Sequence, residues 1–214
     1  MRKLVIFLPI VSAFWFITTI LLGGFKHSNY QHKSQFISEL GATGEVNAHA
    51  VNLFGFVPTS IFLCAFVCLA IYLSSRQVKQ ILGLLGIGVY AITLAVAALY
   101  PCDSGCNPDN PSTSQMVHDL SAIFGYLSGI VGVYLLASDV KKKGGIRLGT
   151  VGYILCGLTI AMFLLLNPEF SFVGLAQRVF ELSMYTWIIL YSFHIRAEIF
   201  NKSRKVGAVD GDSS

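Results

Sequence analysis

The chain has 214 residues, of which 54% are hydrophobic and only 12% charged, and it carries a formal net charge of +4. An ordinary soluble domain carries about 25% charged residues, and a chain of this length cannot hide so much apolar surface from water. A soluble globular enzyme, a nucleic-acid reader and a disordered chain are excluded, and a mean hydropathy of +0.67 points to a polytopic membrane protein.

A helix needs about 20 apolar residues to cross roughly 30 Å of hydrocarbon. Six segments meet that requirement: residues 4–23, 52–73, 80–100, 116–138, 147–166 and 175–199. The first follows Arg2 and Lys3, as the apolar run of a signal peptide would. It is longer than such a run, and no small-x-small cleavage site follows, so it reads as a retained helix. A loop of 27 residues, 25–51, separates the first two helices. The second and third are joined by a tight turn at 74–79. The loop at 101–115 is rich in Pro, Asn, Asp and Ser and reads as turns, while 167–174 is short. Residues 1–205 form one six-helix transmembrane domain, and the small polar tail 206–214 is expected to be disordered.

The basic residues orient this all-α bundle. With the N-terminus inside, the inner segments hold Arg2, Lys3, Arg76, Lys79, Lys141, Lys142, Lys143, Arg147, Arg196, Lys202, Arg204 and Lys205. Only Lys26, Lys33 and Arg178 fall outside, so the positive-inside rule gives N-in, C-in and a multi-pass protein of the cell membrane. The net charge is then a topology signal, with some attraction to anionic lipid headgroups, and needs no nucleic acid.

Most helices carry small or polar residues at three- and four-residue spacing. Examples are Ser12, Thr19 and Gly23; Gly83, Gly86, Tyr90, Thr93 and Ala97; His118, Ser121, Gly125, Ser128 and Gly132; Gly149, Gly152, Cys156 and Thr159; and Arg178, Glu181, Tyr185 and Ser192. Lipid tails are as apolar as Leu, so helices associate by close backbone approach at small residues. These stripes read first as packing seams, and some of them could line a cavity.

The chemistry lies on the outer side, with four of the five histidines (His27, His32, His49, His118) and seven of the eleven acids (Glu39, Glu45, Asp103, Asp109, Asp119, Glu169, Glu181). His118 and Asp119 open the fourth helix, His49 and Asn52 the second, and Arg178 and Glu181 the sixth. Together with Glu39 and Asp103 they are candidates for a polar cup under the outer loops, since ionisable groups near hydrocarbon face the bundle interior or water. The bland alternatives are an Arg178–Glu181 ion pair, helix capping by Asp119 and an interfacial His49.

A lipid headgroup or small ligand would use Arg178 for phosphate and the acids for an amine or sugar. A metal-dependent membrane hydrolase would hold a divalent ion with His49, His118 and Asp119 and use Glu39 or Glu181 as base. A structural or assembly role, as a homo-oligomer or helix partner, would use the small-residue seams. No compact catalytic motif is present, and no catalytic residue is assigned. Cys102 and Cys106 flank a turn in an outer loop, where a disulfide is expected to shape the turn and aim Asp103. Cys64, Cys68 and Cys156 read as small buried hydrophobes.

Two stretches carry a resemblance: Phe-Ile-Ser-Glu-Leu-Gly-Ala-Thr-Gly at 36–44, followed by Asn52 and Phe54, and Tyr-Pro-Cys-Asp-Ser-Gly-Cys at 100–106, followed by His118 and Asp119. With six helices they resemble the bacterial and archaeal membrane-protein family known as domain of unknown function 998, over nearly the whole chain. The Ile-Ser-Glu-Leu-Gly loop is also distantly similar to a loop of the Frag/DRAM/Sfk six-helix family, whose members are linked to lipid handling. The first resemblance implies a fold and a membrane location and no activity. Within the loop, Ile37 and Leu40 are expected to dip into the interface while Ser38 and Glu39 face the cup, in a turn that roofs the bundle.

Overall fold

A computed structural model describes residues 3–74 and 77–211, with side chains through residue 200. Six long helices follow one another: α1 (Leu4–Lys26), α2 (Ala48–Leu73), α3 (Val78–Leu99), α4 (Thr113–Lys142), α5 (Ile146–Leu164) and α6 (Val173–Gly211). There are no strands among the described residues. Each helix packs on the next, and α6 returns to α1, α2 and α4. The helices alternate in direction, so the connections 27–47, 100–112 and 165–172 gather at one end and the short turns at the other. Of the residues used for orientation, Arg2 and Arg76 lie outside the described residues, as do the side chains of Lys202, Arg204 and Lys205. The backbone of α6 runs as helix to Gly211, across part of the expected disordered tail; 212–214 lie outside the described residues.

The helices α1 to α5 are long and apolar enough to cross a membrane, and their outward faces bear Phe7, Phe14, Ile17, Leu21, Ile92, Leu120, Phe124 and Ile154, all exposed. Such a belt suits lipid, because a helix satisfies its own backbone and can show hydrocarbon any apolar side chain. Helix α6 falls short of that hydropathy, and its position explains why. Phe180, Met184, Trp187, Ile188, Tyr191 and Ile195 are at most 1% exposed, which makes α6 the core of the bundle. A helix surrounded by helices can carry polar groups if its neighbours supply partners. Tyr185 meets Ser12 of α1 at 3.1 Å, and Ser12 donates onward to the Thr59 carbonyl of α2. Gln80 of α3 donates to the Tyr191 hydroxyl at 3.0 Å.

The small-residue stripes are packing seams over most of their length. The closest runs between α3 and α4: a Cβ on Gly86 would lie 2.6 Å from the Ser128 carbonyl oxygen, and one on Gly132 2.8 Å from that of Gly83. Backbone this close to backbone cannot yield to a side chain, so glycine is required at both places. Cys156 is buried as expected, Cys64 is half-buried, and Cys68 is exposed on the outward face of α2, contrary to the expectation that all three are buried.

At the short-turn end α4 and α6 are joined by charge. Lys143 Nζ lies 2.7 Å from Asp139, which is 1% exposed, and 3.2 Å from Glu198. Burial would push the Lys143 ammonium down, but Asp139 and Glu198 outweigh it and hold the group above its ordinary value. One of the lysines read as a topology signal is thus also a structural partner.

The seam is testable. Gly132→Leu should lower unfolding stability in mild detergent by about 3 kcal/mol. Gly157→Ala, where a Cβ meets nothing within 4 Å, should raise it by about 0.5–1 kcal/mol. Thermal unfolding of the two variants reads the contrast.

Candidate functional site

The long-loop end holds two cavities that share the lining residues Ser38, His118, Ala122, Tyr126 and Gln177. The upper one, about 520 Å³, opens between α4, the α5–α6 connection and the two longer loops, and Asp119, Gln115 and Cys106 stand on its wall. The lower one, about 70 Å³, descends between α1, α2, α3, α4 and α6 to Tyr90 and Glu181. Neither lining contains a Lys or Arg among the described residues.

The floor is a hydrogen-bonded set in which donor directions follow from chemistry. The Ile37 N–H can only donate, so the Gln177 oxygen accepts it at 2.6 Å. The Gln177 nitrogen then donates to the Tyr126 hydroxyl at 2.9 Å. Tyr126 donates to Glu181 at 3.0 Å, and Tyr90 donates to its other carboxyl oxygen. All four protons point toward Glu181, which is 6% exposed and has no cationic partner among the described residues. The expected Arg178–Glu181 ion pair is absent. Their spacing of three puts them on neighbouring faces, but Arg178 reaches up into the first loop while Glu181 turns into the bundle.

His118 stands where the two cavities meet. Its Nδ1 lies 2.9 Å from the Ala97 carbonyl and 3.1 Å from that of Tyr100. Carbonyls only accept, so Nδ1 carries the proton and caps the last turn of α3, whose terminal carbonyls lack helical partners. Nε2 is left as an acceptor and bonds no protein group among the described residues.

Arg178 is the clamp of the roof. Its Nη1 donates to the Gly174 and Gln35 carbonyls, and its Nη2 donates to the Tyr30 hydroxyl and to His32 Nδ1 at 2.9 Å. These four acceptors occupy the guanidinium that the sequence reading reserved for phosphate. The loop is pinned further by Leu175 N–H to the Lys33 carbonyl, Thr43 N–H to the Cys102 carbonyl and Asn52 Nδ2 to the Gly41 carbonyl. A Cβ on Gly41 would fall 2.1 Å from the Asn52 side chain, so only glycine admits this tie. Asn52 itself sits in a wide π-turn, Val51–Phe56. Two residues beyond the turn, Pro58 cannot donate to the Phe54 carbonyl, which accepts the Trp15 indole N–H instead at 2.8 Å.

The loop Ile37–Gly41 therefore roofs the bundle as expected, with two corrections. Ile37 and Leu40 are 3% and 2% exposed and pack on Phe16, Ile20, Val51 and Phe56. They fill protein core and not the lipid interface, because the loop lies across the bundle and not at its rim. Ser38 lines both cavities, but Glu39 turns back to accept from Gln35 Nε2 and the Phe36 N–H, both at 2.7 Å. Burial pushes the Glu39 carboxyl up, against these two donors.

The remaining candidates separate. His49 is exposed at the start of α2 and lines neither cavity, so it does not join His118 and Asp119. Among the described residues no group of three His, Cys, Asp or Glu is placed to hold a metal ion. Asp119 is exposed, six residues into α4, and accepts from Gln115 at 2.8 Å. The cap of α4 is Ser112, which accepts the Gln115 N–H, not Asp119. Asp103 accepts the Ser112 N–H and lies off the cavities. The disulfide Cys102–Cys106 is present and shapes the turn that holds Asp103. Sequence reasoning missed Gln177 and Tyr126 as site residues, although Gln177 lies one helical turn before Glu181 and Tyr126 two turns beyond His118.

Replacing Arg178 by Lys removes the planar fork and should cost about 2–3 kcal/mol through lost charge-assisted hydrogen bonds. Limited proteolysis within 27–47 should accelerate at least tenfold. The clamp should also respond to pH. Burial and the adjacent Arg178 hold His32 below its ordinary value, so the loop is fully docked above about pH 6.5. Below that the released loop takes up the proton more readily, and docking weakens as pH falls. Hydrogen exchange over 30–37, corrected for intrinsic rates, should rise between pH 7.5 and 5 in the wild type and stay level in His32→Gln.

Comparison with known proteins adds a family and no activity. No curated protein and no solved structure matches the chain. The family model described as "Protein of unknown function (DUF998)" matches residues 10–194. The match runs from within α1 to within α6 and takes in the roofing loop and both cavities, and so this chain belongs to the DUF998 family.

Proposed function

We propose that this multi-pass membrane protein has both termini inside and binds, in its outward-facing cleft, a small ligand or lipid headgroup that carries an ammonium or a comparable set of hydrogen-bond donors. One observation carries this reading: a deeply placed carboxylate, Glu181, receives only phenolic protons and faces a cavity whose described lining has no Lys or Arg. A carboxylate so placed is costly without a positive or strongly donating partner, and a ligand can supply one. His118 Nε2 and Asp119 add acceptors along the path from the upper cavity. The phosphate contact expected from Arg178 drops out of the reading, because that guanidinium is spent on the loop. The metal-dependent alternative would need His49 to reach the cleft, and metal analysis of purified protein tests it directly.

Thermal unfolding in mild detergent tests the main reading, with butylamine and glycerol phosphate as probes. Butylamine should stabilise the wild type, by about 2.7 kcal/mol at a hundred times its Kd, and glycerol phosphate should not. Glu181→Gln should abolish the butylamine effect, and Tyr126→Phe, which removes a competing donor from the carboxylate, should leave butylamine binding at least as tight as in the wild type. Equal stabilisation of wild type and Glu181→Gln, or none of either, would refute the assignment.

A further inference from the structure

A third cavity lies outside the cleft, on the side of the bundle, and no expectation from the sequence included it. It is a groove of about 290 Å³ between α1 and α6, walled by Ile17, Ile20 and Leu21 of α1 and by Leu182 and Tyr185 of α6. Ile17 and Leu182 are 50% and 63% exposed, so the groove opens on the outside of the bundle. The groove shares Phe16, Ile37 and Glu181 with the lower cavity of the cleft. One carboxylate is thus lined by a water-side cavity and by a lipid-side groove.

We infer that the ligand of this protein is an amphiphile with a cationic amine head, held at Glu181, and an apolar tail lying in the α1–α6 groove. The inference rests on the reading of the cleft given above and adds the class and origin of the ligand. Three observations support it. The groove wall is almost wholly aliphatic and aromatic, which suits a hydrocarbon chain. Its inner wall includes Glu181, which makes no ion pair among the described residues although Arg178 stands on the same wall, because the Arg178 Nη1 and Nη2 groups are turned to the roof, so the acid is left to a positive head. Its upper edge is closed by Arg178 and His32, and all four N–H groups on Nη1 and Nη2 of Arg178 already donate to the roof, to Gly174 and to His32, so an anionic head finds no paired guanidinium fork there. A ligand soluble only in water would have no use for this side of Glu181.

Native mass spectrometry of the full chain in mild detergent, titrated with butylamine and with dodecylamine, tests this. Dodecylamine should bind the wild type at least tenfold tighter than butylamine. The double variant Ile17→Trp/Leu182→Trp fills the groove from two exposed positions. It should weaken dodecylamine at least tenfold and leave butylamine unchanged, with thermal unfolding confirming that the variant is folded. Glu181→Gln should weaken both probes. If butylamine binds but dodecylamine binds no tighter, or if the groove-filling variant binds dodecylamine as the wild type does, the tail site is refuted and the small-ligand reading stands. If neither probe binds the wild type, both readings fall.

Discussion

A carboxylate cannot be left inside a helical bundle without donors, and the upper half of this molecule is arranged around that constraint at Glu181. The acid sits on α6, whose inner face forms the core of the bundle. Its donors come from α3 and α4 through Tyr90 and Tyr126, and Gln177 links the set to the roof by accepting the Ile37 N–H. Moving any of these helices away would leave a buried acceptor unsatisfied, at a cost far above the worth of any single interhelical hydrogen bond. The roof is held from the same helix, because Arg178, the residue after Gln177, ties down the loop that covers the acid.

The same sequence device has opposite results at the two ends. Along α3 and α4 the glycines bring backbones into contact where helix meets helix, at Gly83, Gly86 and Gly132. Toward the long-loop end the stripe continues through Thr93, Ala97, Ala122 and Gly125. Thr93 still packs tightly on Gly125, and the open side of these small residues lines the lower cavity. Packing seam and cavity lining are one stripe read at two depths.

Much of the architecture was legible in the sequence. Five of the six helices begin and end within a few residues of the hydropathic segments while α6 runs on from 199 to Gly211, the roofing loop and the disulfide are where the residues put them, and His118 and Glu181 both reach the cleft. The pairings were less legible. Arg178 and Glu181 are three residues apart and yet have separate partners: Arg178 bonds residues 143 and 148 positions away, and Glu181 takes protons from tyrosines 55 and 91 positions away. His49 and His118 share an end of the bundle but not a cavity, because α2 presents His49 outward while α4 presents His118 between α3 and the cleft.

The division has a physical reason. In hydrocarbon every backbone group must be satisfied within its own helix, so a span is a local property, and the sequence by itself determined the number, length and order of the helices. It also determined the uneven distribution of acids, histidines and basic residues between the two ends. Only the tertiary structure decided that the least apolar helix is the central one, that Arg178 is a clamp and Glu181 a floor, and that Glu181 borders both a water-side cleft and a lipid-side groove. Those properties depend on which side chains meet across helices, and no local spacing encodes that.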